Sequence, residues 1–397
     1  MTKLRRSIFI VLFLIFFQMV GWLGWTATIP QAQAADKTNS QIIFQVNNSL
    51  DQPLVALKYT LSGVSPLLSP NTYLGNLPLG LDAETQAVLM NLDPLVVAAS
   101  ANYSVGYLEG SSSFNFDPHS FNFDGSSSAS AIGQARNQWA WQRTGLLTVQ
   151  KASWGQGVKV AVLDTGVDYT HPDLSGKILP GYDAVGNLPD GMDVQGHGTF
   201  VAGVITQIAP AAKIIPVRVL DANGMGTVAT ITNGLQFAIN AGAKVVNLSL
   251  SSTYDFKTLH QLIQQARSRG IVVISAAGND SSDKKYFPAA YSEGTGIGAT
   301  DTQDYKASFS NYNGYISLSA PGVDIYSNWK GGGYGWGNGT SFSTPMAAAG
   351  VAVISSLHPT YNADQLKNVL RKAVDHFGAG CKCNGLGVGR LNFAKLS

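Results

Sequence analysis

Four apolar runs in the second half of the chain limit its fold more than any other feature: Val158 to Leu163, Lys213 to Leu220, Lys244 to Leu250 and Ile271 to Ala276. Each has the length of a strand and is apolar throughout rather than at every second residue, so both of its faces must be covered. Helical patterns separate the later runs. Leu259, Leu262, Ile263 and Ala266 fall at i, i+3, i+4 and i+7, and Leu366, Val369, Leu370 and Ala373 repeat that spacing near the end. Buried strands joined by amphipathic helices predict an α/β fold with a mainly parallel central sheet and helices on both faces. In such a sheet functional groups collect at the carboxyl ends of the strands.

Three stretches put chemistry at such places. The first run, VKVAVLDTGVD, ends at Asp164, where a carboxylate can be partly buried and still reach a neighbour; alone, it reads as a strand-end turn cap. In GHGTFVAG, His197 stands between Gly196 and Gly198 at the entry of an apolar helix. The glycines allow backbone and substrate to approach closely, and imidazole suits proton transfer near neutral pH. In GNGTSFSTPMAAAGVAV, the hydroxyls of Thr340, Ser341, Ser343 and Thr344 crowd a helix start, and any of them would cap it. A strand-end Asp, a Gly-flanked His and a Ser at a helix N-terminus supply the orienter, base and nucleophile of serine catalysis. The helix start favours the oxyanion formed on attack, and Asn279, just past the strand of VVISAAGND, offers a second donor.

The chain order Asp, His, Ser is one of three in which this triad occurs. With VAVLDTGVD, GHGTFVAG, AAGND and GTSFSTP in sequence, residues 138–396 resemble a subtilisin-like (subtilase, S8-type) serine protease. The resemblance implies an endopeptidase that hydrolyses peptide bonds through an acyl-enzyme, needs no cofactor, and uses Asp164, His197, Ser341 and, as oxyanion donor, Asn279. It implies two cleft segments that pair with a substrate backbone as an added strand, Gly224-Met225-Gly226 and Ser249-Leu250-Ser251. Ser251 stands where relatives usually have Gly, so its side chain would narrow the groove; Asn247 is read as structural. KKYFPAAY resembles the far wall of the primary specificity pocket, with Tyr286 at its base or rim and no carboxylate evident there. Phe200 and Phe342 replace the His and Met of many relatives. A Met beside the nucleophile would be open to sulfoxide formation, so activity here is expected to resist mild peroxide. The family's tight calcium site needs a loop that VITQIAPAAKI lacks. Asp183, Asp190, Asp193 and Gln195 in GYDAVGNLPDGMDVQ are candidate calcium ligands, with solvated turn residues as the alternative.

The first part of the chain divides into segments. Residues 1–34 combine a basic start (MTKLRR), an apolar run from Ile8 towards Trp25 and Ala32-Gln33-Ala34, the parts of a secretory signal. An uncleaved membrane anchor is the alternative, since the run approaches the roughly 18 residues that span a bilayer. Residues 35–109 read as a small α+β unit, with a helix starting at Asp82, stopped by Asp93-Pro94 and followed by a strand at Leu95 to Ala99. AETQAVLMNLDPLVVAASANYSV within it resembles an inhibitory, folding-assisting prodomain; an independent binding module is the competing reading. Residues 110–133 form a Gly/Ser-rich connector with an internal repeat, Ser113 to Asp117 and Ser120 to Asp124, suited to processing. Residues 134–397 are the peptidase domain. Three of the 26 Lys and Arg residues lie in the leader, and the remaining 23 face 24 Asp and Glu, which leaves no footprint for nucleic acid. The expected partners are protein or peptide substrates and the chain's own prodomain; the mature enzyme is expected to be secreted and monomeric, with membrane contact only if the leader persists. A silent relative that merely binds peptides is the alternative from another class. Cys381 and Cys383 could bridge each other, bond elsewhere or stay free.

Overall fold

The computed structural model describes residues 40–106, 138–149, 154–378, 381 and 383–396, all within one compact unit spanning Thr38–Ser397. The expected leader and connector, with both copies of the repeat, lie outside the described residues.

The N-terminal part is a four-stranded antiparallel sheet with two helices. In chain order it comprises β1 (Gln41–Val46), α1 (Gln52–Lys58), β2 (Ser62–Pro66), β3 (Thr72–Asn76), α2 (Ala83–Met90) and β4 (Val96–Ala101), with sheet order β2-β3-β1-β4. The cap read from the sequence is present: the Asp82 side chain accepts from the Thr85 amide at 2.8 Å, and the helix stops before Asp93-Pro94. Ile42, Ile43 and Phe44 of β1 and Met90 of α2 are fully buried. A short strand, β5 (Ser104–Gly106), then leaves this sheet and pairs elsewhere.

Two short helices, α3 (Trp139–Arg143) and α4 (Leu146–Val149), precede the main sheet. Its first half contains β6 (Lys159–Asp164), β7 (Tyr182–Asp183), α5 (His197–Ile208), β8 (Lys213–Arg218), the outlying β9 (Met225–Thr227), α6 (Val228–Asn240) and β10 (Val245–Leu248). The second half contains α7 (Lys257–Ser268), β11 (Val272–Ala276), β12 (Thr295–Thr300), β13 (Ile316–Pro321), the hairpin β14 (Ile325–Trp329) and β15 (Gly333–Gly337), α8 (Thr340–Leu357), α9 (Ala363–Lys372), β16 (Val374–Asp375) and β17 (Arg390–Leu391). The nine strands lie in the order β16-β17-β13-β12-β11-β10-β6-β8-β7, all pairs parallel except β16 with β17. From β6 the chain moves outward to β8, crosses back to β10 on the other side of β6, and then continues outward through β11 to β13. The direction of winding therefore reverses between β6 and β10, which is where doubly wound sheets open a crevice at their carboxyl ends.

All four apolar runs are strands, and the faces assigned to α7 and α9 point inward: Leu259, Leu262, Ile263, Ala266, Leu366 and Leu370 are in the core, Val369 is half-buried, and Ala373 is buried just past the end of α9. The later strands escaped the sequence reading. TGIGAT of β12 and the glycine- and aromatic-rich β14–β15 hairpin carry few of the aliphatic residues by which buried strands are recognised. Helix α8 is long and apolar enough to cross a bilayer, but 89% of it is buried inside the protein, making it a core helix. The two cysteines are bonded to each other across position 382, which decides among the alternatives left open by the sequence.

Leu366 and Leu357 separate core packing from surface exposure, being 0% and 45% exposed. In a Ser341→Ala background, which blocks self-digestion, Leu366→Ala is expected to cost about 2–5 kcal/mol and Leu357→Ala under about 1 kcal/mol, measured by denaturant unfolding. Equal losses from the two substitutions would refute the core position assigned to Leu366.

Candidate active site

Asp164 is the last residue of β6 and His197 the first of α5. The loop after β6 and the start of α5 meet so closely that a Cβ on Gly198 would lie 1.9 Å from the Gly166 carbonyl oxygen and 3.1 Å from the Asp164 Cβ. On the other side of His197, Gly196 has φ +129°, and a Cβ there would meet the Trp329 ring at 2.5 Å. The flanking glycines thus serve approach between protein elements, where the sequence had suggested substrate as well. The result is a contact of 2.8 Å between His197 Nδ1 and Asp164 Oδ1, with both residues almost wholly buried. The same Asp164 oxygen accepts the Thr165 amide at 2.8 Å. A carboxylate accepts only, so Nδ1 carries the proton and Nε2 is the nitrogen left to act as base when the ring is neutral.

Ser341 is the second residue of α8, in its first turn. Its backbone environment depends on Pro345, which has no N–H to give the Ser341 carbonyl four residues earlier. The Ser249 hydroxyl supplies that bond at 2.8 Å and itself accepts from Asn247 Nδ2 at 2.9 Å. In return the Ser341 hydroxyl donates to the Ser249 carbonyl at 3.3 Å. Asn247, read as structural from the sequence, therefore helps hold the carbonyl of the candidate nucleophile. Asn279 follows β11 and is fixed by Thr340: its Oδ1 accepts both the Thr340 amide and the Thr340 hydroxyl at 2.8 Å. Because a backbone amide can only donate, the carboxamide oxygen must face Thr340, and this sets the orientation of the NH₂ group. The Thr340 hydroxyl also accepts the Gly278 amide at 3.2 Å, tying the end of β11 to the start of α8.

The expected cleft segments are placed differently from each other. Gly224 lies in a turn held by Asp221, whose carboxylate accepts the Asn223 and Met225 amides, and Met225 and Gly226 begin the edge strand β9. That edge is occupied by the chain itself: β5 runs antiparallel to β9, with Ser104 opposite Thr227, Val105 opposite Gly226 and Gly106 opposite Met225. Ser249, Leu250 and Ser251 follow β10 and are buried, and Ser252 pairs with Phe287 through two backbone bonds. Tyr286 is also buried and lies against Gly278, where an added Cβ would meet its ring at 3.0 Å. Burial, with the neighbouring Asp280, holds its phenol well above the ordinary range. The KKYFPAAY stretch itself carries no carboxylate, and the one that acts on the Tyr286 phenol, Asp280, comes from the segment directly after Asn279.

The calcium candidates are engaged within the protein. Asp183, Asp190 and Asp193 do not form a group able to hold a metal, and no such group of His, Cys, Asp or Glu occurs among the described residues. Their oxygens go to internal donors. Asp183 binds Arg218 and the Val185 and Gly186 amides; Asp190 binds the Gly191 and Met192 amides. Asp193 and Gln195 are bonded to the start of α5, a role signalled in the sequence only by an acidic residue four positions before His197. Phe342 and Phe200 pack with their ring centres 4.3 Å apart and their planes tilted by 44°, and Phe342 also lies 5.4 Å from the His197 ring. Two aromatic residues, one from α5 and one from α8, thus pack together next to the His197 ring.

Comparison with known proteins agrees with this geometry. Residues 155–389 match the subtilase family, Peptidase_S8. The thermophilic serine proteinase of Bacillus sp. (strain AK1) is 39% identical over 278 residues, covering 67% of each chain. Subtilisin Savinase of Lederbergia lenta is 40% identical over 234 residues, covering 57% of this chain and 86% of that protein. The crystal structure of a cold adapted subtilisin-like serine proteinase aligns with a TM-score of 0.60 at 30% identity, covering 65% of this chain and 98% of the other. The chain belongs to the subtilase family and is a serine endopeptidase of the subtilisin type.

Proposed function

We propose that this endopeptidase is exported as a proenzyme, matures by cutting itself, and works through Asp164, His197, Ser341 and Asn279. The buried 2.8 Å contact between His197 and Asp164, with Ser341 in the first turn of a core helix whose next residue, Phe342, lies 5.4 Å from the His197 ring, carries the catalytic part of this reading. Ser341 Oγ attacks the substrate carbonyl as its proton passes to His197 Nε2, and Asp164 stabilises the imidazolium and its orientation. The oxyanion accepts from Asn279 Nδ2 and from the Ser341 amide. Among the first three amides of α8, that of Thr340 is used by Asn279 and that of Phe342 by the Gly339 carbonyl, so the Ser341 amide is the one to join. His197 then protonates the leaving amine, the acyl-enzyme forms, and water repeats the sequence in reverse.

The maturation part rests on β5. An edge strand that relatives of this kind use for substrate is paired with the chain's own residues 104–106, which lie directly before the expected processing region. Residues 40–106 also lean on α6 and α7: the Leu68 amide donates to Asn233, the Ala229 amide to Asn102 and the Thr258 amide to Ser100. This supports a prodomain that blocks the cleft until the connector is cut. Export to the outside of the cell rests on the leader pattern of residues 1–34, and no cofactor enters the chemistry proposed.

Expression of the native chain and of Ser341→Ala tests the reading. The native product is expected to begin within residues 109–138 and to be labelled by a serine-directed phosphonate. Ser341→Ala is expected to keep the N-terminal unit, begin near Ala35, resist labelling and lose activity on the order of a million-fold. Identical processing of both forms with no labelling of either would overturn it. A second test concerns Phe342, since the next methionine along α8, Met346, is fully buried. Native enzyme is expected to retain activity in mild peroxide while Phe342→Met loses it as the new thioether is oxidised; rapid inactivation of native enzyme with oxidation mapped beside Ser341 would refute this.

A further inference from the structure

Helix α5 begins at His197, and its N-cap, Gly196, has no side chain to offer. The amides of the first turn nevertheless all have acceptors. Gly196 N–H donates to Asp193 Oδ1 at 2.8 Å, His197 N–H to Gln195 Oε1 at 2.8 Å, Gly198 N–H to Thr165 Oγ1 at 3.1 Å and Thr199 N–H to Asp193 Oδ2 at 2.9 Å. Asp193 accepts three more bonds, from the Gln195 amide at 2.8 Å and from the hydroxyls of Thr165 and Thr199 at 2.8 and 2.5 Å. The carboxylate is 7% exposed. Burial pushes its carboxyl above the ordinary value, while the donors around it favour the ionised form.

Thr165 connects this network to the catalytic pair. Its hydroxyl accepts from the Gly198 amide, so its own proton is directed to Asp193. Its backbone amide donates to Asp164 Oδ1, the oxygen that also holds His197 Nδ1. One buried carboxylate therefore spans both chain segments whose separation defines the Asp164–His197 contact. It anchors the residue after Asp164, and it closes the helical turn that begins with His197.

We propose that Asp193 is a positioning residue for proteolysis, acting through Thr165 on Asp164 and through the first turn of α5 on His197. The proposal rests on the assignment of Asp164 and His197 as catalytic residues. Replacing Asp193 by Asn puts an NH₂ group where at least two donors now point, so the turn must open on one side or the other. Thr165→Val keeps the shape of the side chain but cuts the link between Asp193 and the residue beside Asp164.

The test compares native enzyme with Asp193→Asn, Thr165→Val and Thr165→Ser, normalised by titration with a serine-directed phosphonate. On a peptide anilide, Asp193→Asn and Thr165→Val are expected to lower kcat about 10- to 100-fold with KM within about twofold, as displaced catalytic groups do. They should also move the acid limb of kcat/KM to lower pH, because a carboxylate displaced from His197 stabilises the imidazolium less. Thr165→Ser, which keeps the hydroxyl, should restore kcat. Should Asp193→Asn fail to fold, the uncharged pair at Thr165 decides alone. Native kcat per titrated site in Thr165→Val, with only the melting temperature lowered, would overturn the proposal. Failure of native enzyme to react with the phosphonate would instead overturn the catalytic assignment, and the proposal with it.

Discussion

The site depends on the close approach of the loop after β6 to the first turn of α5. There is no room for a side chain at Gly198, because the Gly166 carbonyl occupies the space, and that same lack of room brings the Asp164 carboxylate to 2.8 Å from the imidazole. A buried carboxylate and imidazole are costly to bring out of water unless their remaining lone pairs and protons are engaged. The Thr165 amide on Asp164 and the acceptors at the start of α5 meet part of that need, so the polar network and the steric fit are one arrangement. A larger residue at Gly198 and a missing acceptor at Asp193 would disturb the same distance from opposite sides.

The serine side of the site is built on a different principle. Pro345 deprives the Ser341 carbonyl of its helical partner, and the Ser249 hydroxyl replaces it. Thr340 anchors Asn279, so the start of α8 is bonded to segments following β10 and β11. These two strands are neighbours in the sheet, and β10 is paired in turn with β6, which carries Asp164. Adjacent parallel strands thus deliver the acid, the bonding partner of the serine and the amide donor to one edge, while helices packed on the sheet bring the base and nucleophile. Winding that reverses between β6 and β10 gives all of them a common crevice.

Much of this was legible in the sequence because it rests on short-range rules. Continuous apolar runs gave the central strands, i, i+3, i+4 spacing gave α7 and α9, and an Asp three residues before Thr85 gave the cap of α2. Four motifs in family order located Asp164, His197, Asn279 and Ser341. What was not legible depends on contacts between distant segments. Nothing in GMDVQGHG says that the Asp193 carboxylate turns inward to α5 rather than outward to a cation; that follows from Thr165, 28 residues away in the chain. The Asp280 carboxylate beside Tyr286 was hidden similarly, since adjacency to Asn279 in sequence does not reveal which way the chain turns after β11.

The same dependence on distant contacts bears on why such an enzyme would be made with an N-terminal unit. A sheet of parallel strands must close long loops before its pairings are rewarded, which makes folding slow. Helix α7 starts at a cap residue, Phe256, that offers no side-chain acceptor, and α6 relies on Thr227 for only one of its first amides. Ser100 and Asn102, at the end of β4 and just beyond it, accept from Thr258 of α7 and Ala229 of α6. On the proposed reading, one small sheet rich in local antiparallel pairs supplies caps to two adjacent helices of the slower domain while its tail fills the cleft. Folding assistance and inhibition would then come from a single docking geometry, and cutting the connector would end both, leaving the helix caps to water once the slow pairings are complete.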